Sequence, residues 1–189
     1  YPIVMGWQWG GGWLAELGFS DFAGSTLVHS TGGAAALAGA MIIGPRLGRF
    51  TKSGSPAPLK PFAASSIPLV TIGVFILWLG WFGFNGGSQL AMGTAVDAIA
   101  VSTIFMNTFL AGAGGVIGAA IITRLHFGKT DVVQMLNGCI GGLVAVTAEP
   151  LAPSPLAAIL IGAVGGLIVV YGTKLLFSLK IDDVVGAVP

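Results

Sequence analysis

A carboxylate and an imidazole lie close together at the start of one apolar segment of this chain. Asp21 is followed by Phe22-Ala23-Gly24-Ser25-Thr26-Leu27-Val28-His29, and apolar residues continue to Gly44. A helix rises about 1.5 Å per residue, so His29 would lie about 12 Å beyond Asp21. An imidazole both accepts and donates hydrogen bonds and can carry a proton. An ionisable ring in apolar surroundings is costly unless it has a partner or lines a cavity, so we predict a functional role for His29.

Both residues also have a purely structural interpretation. Asp21 could be a simple helix N-cap, because an aspartate there accepts hydrogen bonds from free N–H groups and meets the positive end of the helix dipole. It could equally shape a vestibule that favours a cation, and the two roles are compatible. His29 could be a satisfied core histidine bonded to a serine or threonine.

The composition points to a membrane protein. The chain is 54% hydrophobic and 8% charged, with a mean hydropathy of +0.92, whereas soluble domains carry about 25% charged residues. The net charge of +1 argues against nucleic-acid binding. Cys139 is the single cysteine, so we expect no disulfide framework and no thiolate metal site. The sequence contains no HExxH, GxSxG or P-loop motif, and we predict neither an enzyme nor a cofactor.

Five apolar segments indicate an all-α, polytopic transmembrane bundle. Most reach the roughly 20 residues needed to cross the hydrocarbon. The fourth is short and can also be interpreted as a buried half-span. The stretch 1–20, rich in glycine and tryptophan, is typical of a membrane interface. The predicted spans are 22–44, 62–84, 95–123, 132–147 and 155–179.

The basic residues predict the orientation of these spans. With five spans, all eight fall on one side, and the positive-inside rule makes that side cytoplasmic. Loops of the other side carry the acids Glu16, Asp21, Asp97 and Glu149 and no base. The basic residues are Arg46, Arg49, Lys52 and Lys60 in the first loop, Arg124 and Lys129 in the second, and Lys174 and Lys180 in the third.

Small residues recur at intervals of four along the spans, which favours close helix packing in lipid. These stripes indicate a compact bundle without saying which bundle. They comprise Gly32, Ala36, Ala40 and Gly44, and the pairs Gly114 and Gly118, Gly138 and Gly142, and Gly162 and Gly166.

Aromatic residues cluster on the predicted outer side. Trp9, with Trp7 and Trp13, forms one cluster, and Trp81 and Phe84 belong to another. Tryptophan at an interface commonly anchors the protein. The alternative is a cage for an ammonium-like cation, which is attracted to ring faces. Ser88 follows the second cluster and could add a hydroxyl acceptor, while Asn85 could be a polar site residue or serve helix packing alone.

These motifs resemble the ammonium transporter family, Amt/Mep, which is related to the Rh proteins. The resemblance rests on Trp9-Gly10-Gly11-Gly12, the stretch from Asp21 to His29, and Gly80-Trp81-Phe82-Gly83-Phe84-Asn85-Gly86-Gly87-Ser88. It extends through Leu136-Asn137-Gly138, Gly142 to Thr147 and Lys180 to Ala187. Family members have about eleven spans in two inverted halves. The chain resembles spans five to nine and the start of span ten, so we expect a partial transmembrane domain, 1–189, of a longer protein.

The resemblance implies a role for each candidate residue. Trp9 and Ser88 correspond to the outer ammonium recruitment site, and Asp21 to the vestibule aspartate that holds that site in shape. Phe84 corresponds to one of two stacked gate phenylalanines, and His29 to the first of twin pore histidines. The second histidine would follow Pro189. Ser25, Leu27 and Ala148-Glu149-Pro150 depart from the usual pattern, which leaves the role of Glu149 open.

The implied activity is ammonium transport across the cell membrane. Ammonium would be deprotonated at the outer site, ammonia would cross a hydrophobic pore lined by imidazole, and the proton would take a separate path. The resemblance also implies a homotrimer, contact with membrane lipid and a PII-type regulatory protein on the cytoplasmic face. Three alternatives remain: an Rh-like gas channel, an ammonium sensor module, and an unrelated helical bundle.

Overall fold

The computed structural model describes residues 1–50 and 62–189. Every element of regular secondary structure in these ranges is a helix, which confirms the all-α prediction. The helices are α1 (Pro2–Gln8), α2 (Trp13–Glu16), α3 (Ser25–Ile43), α4 (Ile67–Gly87), α5 (Ala95–Phe127), α6 (Val132–Val146) and α7 (Pro155–Ser178).

Each predicted apolar segment contains a helix, but several helix ends differ from the prediction. Helix α3 begins three residues later than predicted because the N–H groups of Phe22 and Ala23 donate to the carbonyls of Ala148 and Thr147 instead of entering the helix. Helix α4 begins at Ile67 rather than at 62. There the Ser66 hydroxyl accepts from the N–H of Leu69 and so caps the helix.

The helix lengths divide the five segments into two groups. Helices α3, α4, α5 and α7 are each long and apolar enough to cross a membrane. Helix α6 has 15 residues. At about 1.5 Å per residue it is about 22 Å long, shorter than the roughly 30 Å hydrocarbon core. Its shortness agrees with the sequence-based possibility of a buried half-span.

Glycines form the contacts among α5, α6 and α7. A Cβ added at Gly115 would collide with the carbonyl oxygen of Gly138, and one at Gly166 with the carbonyl oxygen of Gly115. A Cβ at Gly162 would collide with the carbonyl of Ala111. Backbone against backbone is the closest approach two helices can make, and small residues permit it. The prediction that these small-residue pairs pack helices together is confirmed here.

The small-residue stripe of α3 is different. A Cβ at Gly32 or Gly44 would meet nothing within 4 Å in the part of the chain that is described. Instead Gly33, next to the stripe, faces the carbonyl oxygen of Val188. The α-helical segment Thr31–Ile43 contains no buried residue. Among the described residues, α3 is therefore contacted mainly at its two ends.

One end of α3 is fixed by an ion-pair cluster. The Asp182 carboxylate, 4% exposed, accepts from the backbone N–H, Nε and an Nη of Arg46 at 2.7–3.0 Å. The Nε of Arg49 lies 3.2 Å from the same carboxylate. The rings of Phe50 and Phe177 meet beside it with centroids 5.6 Å apart. The loop after α3 and the segment after α7 thus lie at the same end of the bundle, as the five-span scheme requires. Two of the basic residues predicted for this end, Lys52 and Lys60, lie outside the described residues.

Candidate functional site

The Asp21 carboxylate organises the start of α3. It is 1% exposed and accepts hydrogen bonds from four consecutive backbone N–H groups, at 2.8–3.0 Å. Oδ1 takes those of Gly24 and Ser25, and Oδ2 takes those of Thr26 and Leu27. A helix begins with four N–H groups that lack intrahelical partners. In most helices these four N–H groups bond to several different side chains and to water, whereas here a single carboxylate accepts from all four.

The first turn and a half of α3 is a π-helix, Ser25–Ser30. The N–H groups of Val28 and His29 both donate to the carbonyl of Gly24, at 2.9 and 3.0 Å. Gly24 has a φ of 109°, which a residue with a Cβ rarely adopts, and a Cβ there would also collide with Val28. Single π turns often mark functional sites. This wider turn sets the direction in which the His29 side chain leaves the helix.

The His29 imidazole lies against two aromatic rings of α4. It stacks on Trp81 with centroids 4.9 Å apart and 25° between the planes, and its centroid is 5.2 Å from that of Phe84. The Nε2 atom is buried and has no hydrogen-bond partner among the described residues. The alternative interpretation, a core histidine bonded to a serine or threonine, is therefore not supported at Nε2, because no described residue bonds this atom.

Trp81 is held in place by a buried polar network. Its Nε1–H donates to Thr147 Oγ1 at 2.8 Å, and the indole is 8% exposed. Thr147 Oγ1 also lies 2.6 Å from the carbonyl of Leu143 and 3.2 Å from Asn85 Oδ1. Asn85 in turn donates to Thr108 Oγ1 at 3.0 Å. The interfacial-anchor interpretation is thus wrong for Trp81, because the ring is buried between helices with its N–H satisfied.

Trp9 lies at the Asp21 end of α3. Its Nε1–H donates to the backbone carbonyl of Asp21 at 2.7 Å, and 40% of the residue is exposed. A Cβ added at Gly24 would lie 3.2 Å from the edge of the indole. The backbone of Asp21 therefore orients this tryptophan, while its carboxylate caps the helix.

Ser88 follows directly after the last turn of α4. Its hydroxyl donates to the carbonyl of Phe84 at 2.8 Å, which leaves the oxygen free to accept. Phe84, 38% exposed, lies one turn earlier and contacts His29. Asn85 is 0% exposed and belongs to the Trp81 network, which favours a packing role.

The structure brings the sequence-predicted residues together in two groups. Trp9 and Asp21 form the first, and His29, Trp81 and Phe84 the second, with Ser88 one turn beyond Phe84. Helix α3 connects the groups, because Asp21 caps the helix that carries His29. Sequence reasoning did not single out Thr147 as a site residue, although it joins the support of both groups.

Two further features bear on the chemistry. No cluster of three or more His, Cys, Asp or Glu side chains that could hold a metal ion occurs within residues 1–50 and 62–189.

Glu149, whose role the sequence left open, accepts from the N–H groups of Leu151 and Ala152 at 3.2 and 3.3 Å and thereby caps its own turn.

Long apolar helices packed through glycines, with an imidazole among aromatic rings between them, define a multi-pass helical membrane protein with a polar site inside the bundle. The sequence model of the Ammonium Transporter Family matches residues 1–189, and the chain belongs to that family.

Relatives and solved structures agree with this assignment. A Synechocystis protein provisionally named an ammonium transporter is 47% identical over 191 residues, which cover 100% of this chain and 42% of that protein. Ammonium transporter Amt2 of Archaeoglobus fulgidus is 43% identical over 199 residues, 100% of this chain and 41% of the relative. The chain thus spans less than half the length of these relatives.

Two solved structures show the same fold. A structure described as a sensor Amt protein has a TM-score of 0.91 and 37% identity, and the match covers 100% of this chain and 46% of that one. Mep2 of Candida albicans has a TM-score of 0.83 and 30% identity, with 98% and 39% covered. The fold prediction and the family resemblance are confirmed.

Proposed function

We propose that the protein to which this chain belongs transports ammonium across the cell membrane. The observation that carries this proposal is the His29 imidazole, which stacks on Trp81 and lies against Phe84. Its Nε2 atom is buried and has no hydrogen-bond partner among residues 1–50 and 62–189. A buried ring nitrogen without a protein partner can exchange a hydrogen bond or a proton with a small passing molecule. The family membership supplies the substrate class.

The outer site is proposed to recruit the cation. Trp9 is 40% exposed, and an indole ring attracts an ammonium ion more strongly once the ion loses water. Ser88 offers a hydroxyl oxygen that can accept a hydrogen bond from the ion. Asp21 acts as a positioning residue, because its carboxylate is occupied by backbone N–H groups and its carbonyl orients Trp9.

Deprotonation then provides selectivity. Ammonium resembles potassium in size and charge, so a hydrophobic barrier alone distinguishes them only if ammonium first loses its proton. Burial disfavours the charged form and lowers the pKa of the ammonium ion. In this proposal ammonia passes Phe84 and is guided by His29, while the proton crosses by a separate polar path in which His29 takes part.

The orientation, assembly and regulation complete the proposal. The ends that carry Arg46, Arg124 and Lys174 would face the cytoplasm. Labelling of single cysteines placed near Gly128 and near Ser154, from each side of the membrane, tests this sidedness. A homotrimer and a cytoplasmic PII-type regulator are proposed from the family resemblance, and cross-linking and pull-down with such a regulator would test them.

The central test replaces His29 with alanine in the full-length protein. A positioned histidine that transfers protons typically contributes at least about a hundredfold, so the ammonium-dependent current should fall by tenfold or more, or lose its proton coupling. His126→Ala is the matched control, because His126 bonds Tyr171 at the far end of α5 and should leave the current unchanged. Wild-type current, pH dependence and selectivity in His29→Ala would remove His29 from the mechanism.

A second test addresses recruitment. Trp9→Leu removes the ring face, worth about 1 kcal/mol in a partly exposed cation contact, so the apparent Km for ammonium should rise about fivefold. The folded yield should change little, since 40% of this residue is exposed. An unchanged apparent Km would argue against the outer aromatic site.

An ammonium sensor is the second candidate function. It is favoured by the likeness, at a TM-score of 0.91, to a structure described as a sensor Amt protein. A full-length protein that binds ammonium and signals through a further domain without carrying a current would support it. Electroneutral movement of ammonia would instead support an Rh-like gas channel.

A further inference from the structure

Thr147 is the point at which the supports of the two site groups meet. It follows the last residue of α6, is 0% exposed, and contacts three separate elements. Its hydroxyl accepts from the Trp81 indole of α4 at 2.8 Å, and its backbone carbonyl accepts from the N–H of Ala23 at 3.1 Å. None of the roles proposed above uses this residue.

The hydroxyl fixes the plane of the Trp81 ring. A buried indole N–H requires an acceptor, and here the acceptor is Thr147 Oγ1. The threonine itself is held by its contact with the carbonyl of Leu143. Because His29 stacks on the same indole at 4.9 Å, the orientation of Trp81 determines the surface against which the imidazole lies.

The backbone carbonyl fixes the other support of His29. The segment that follows Asp21 docks on the end of α6 through two bonds, from Phe22 N–H to the carbonyl of Ala148 and from Ala23 N–H to that of Thr147. This segment leads directly into the π-helix that carries His29. A single residue therefore anchors both the ring beneath the imidazole and the backbone that leads to it.

We propose that Thr147 is a positioning residue for the imidazole of His29, acting through its hydrogen bond to Trp81. The proposal rests on the function proposed for His29. Without the hydroxyl, the indole loses its acceptor and can tilt, and the imidazole loses a fixed neighbour. A displacement of a reacting group by about 1 Å can lower the rate of the step it takes part in about a hundredfold.

The test compares Thr147→Val, which keeps the shape and removes the hydroxyl, with Thr147→Ser, which keeps the hydroxyl. In the full-length protein we expect Thr147→Val to lower the ammonium current about tenfold and to shift its pH profile, with Thr147→Ser within about twofold of wild type. Thr123→Val is the matched control, because Thr123 is also 0% exposed and bonds the carbonyl four residues earlier. Among the described residues its hydroxyl bonds Ala119, Ala120 and Asp131, none of which is a site residue.

Trp81→Phe keeps an aromatic ring beneath His29 and removes the N–H. Trp81→Phe should shift the pH profile in the same direction as Thr147→Val. Combining the two substitutions should have little further effect, because each of them removes the same hydrogen bond between Trp81 and Thr147. A wild-type pH profile in Trp81→Phe overturns the proposal even where Thr147→Val does not fold. So does a wild-type current in folded Thr147→Val, or an equal loss in Thr123→Val. Absence of current in the unmodified protein would instead contradict the proposed function.

Discussion

Asp21 acts on the site through the backbone. Its carboxylate has about four lone-pair positions, and four N–H groups occupy them. The residue is 1% exposed, and its backbone carbonyl accepts from the Trp9 indole, so Asp21 acts on its surroundings through the backbone and through Trp9. These contacts confirm the interpretation of Asp21 as a helix cap, and its role in shaping a vestibule stays a prediction.

Removal of this carboxylate should destabilise the protein. Asp21→Ala leaves four backbone N–H groups without their acceptor, and we expect a loss of about 3 kcal/mol in the free energy of unfolding. Asp21→Asn keeps one acceptor oxygen and should lose less. Thermal unfolding of the purified full-length protein measures both. Glu149→Gln is the control, since its amide oxygen can still cap the turn; equal unfolding temperatures for Asp21→Ala and wild type would contradict the prediction.

Some site residues can be recognised in the sequence and others cannot, and the difference has a physical reason. Asp21 and His29 stand out because ionisable groups are rare and costly in apolar segments. Thr147 does not stand out, because a threonine in an apolar helix commonly bonds the carbonyl four residues earlier, and it does so here with Leu143. Its contact with Trp81 joins residues 66 positions apart, and local pattern carries no information on such a pairing.

At the level of elements, apolar runs predicted where helices exist but not where each one starts. Hydropathy alone places the apolar Phe22 and Ala23 inside the helix, whereas the start of α3 depends on the docking of these two residues onto the segment that follows α6. The π-helical turn was also not predicted, because it follows from the Asp21 bonds and from Gly24. The docking is a tertiary effect, and the π-helical turn depends on local bonds between side chain and backbone that hydropathy does not register. Together they decide the position of His29.

Close helix packing was predictable because glycine spacing is local, although the spacing does not say which helices pair. Gly166→Ala places a methyl group against the carbonyl of Gly115 on α5, so the helices must separate. Overpacking of this kind costs about 2 kcal/mol, and we expect the unfolding temperature to fall accordingly. The matched control is Gly73→Ala on α4, where a Cβ would meet nothing within 4 Å. Equal effects of the two substitutions would show that the α5–α7 contact does not depend on the small residue.

At the scale of the whole molecule, two aspartates hold α3. Asp21 caps the end nearest His29, and Asp182 binds Arg46 and Arg49 at the other. Between them, the α-helical part of α3 has no buried residue. Among the described residues, the contacts of this helix are therefore concentrated at its ends, and we expect both ends to help keep His29 in place against Trp81.

The Asp182 cluster gives this arrangement a defined pH dependence. The hydrogen bonds and charge of Arg46 hold the pKa of the Asp182 carboxyl below its usual value, which is about 3.9 in an unfolded chain. A group whose pKa is lowered by folding stabilises the protein above its unfolded pKa, and this contribution is lost as the pH falls through the folded value.

Asp182→Asn should therefore lower the free energy of unfolding by about 2 kcal/mol at neutral pH, because the charged acceptor of Arg46 is lost. The gap between wild type and Asp182→Asn should stay constant from pH 7 to about pH 5 and begin to close below about pH 4, where the unfolded chain takes up the proton. It should continue to close as the pH falls through the lower pKa of the folded carboxyl. Unfolding temperatures measured across this range test it, with Glu16→Gln at the opposite end of the bundle as the control. A gap that persists unchanged to the lowest pH would mean that the charge of Asp182 does not hold this end of α3.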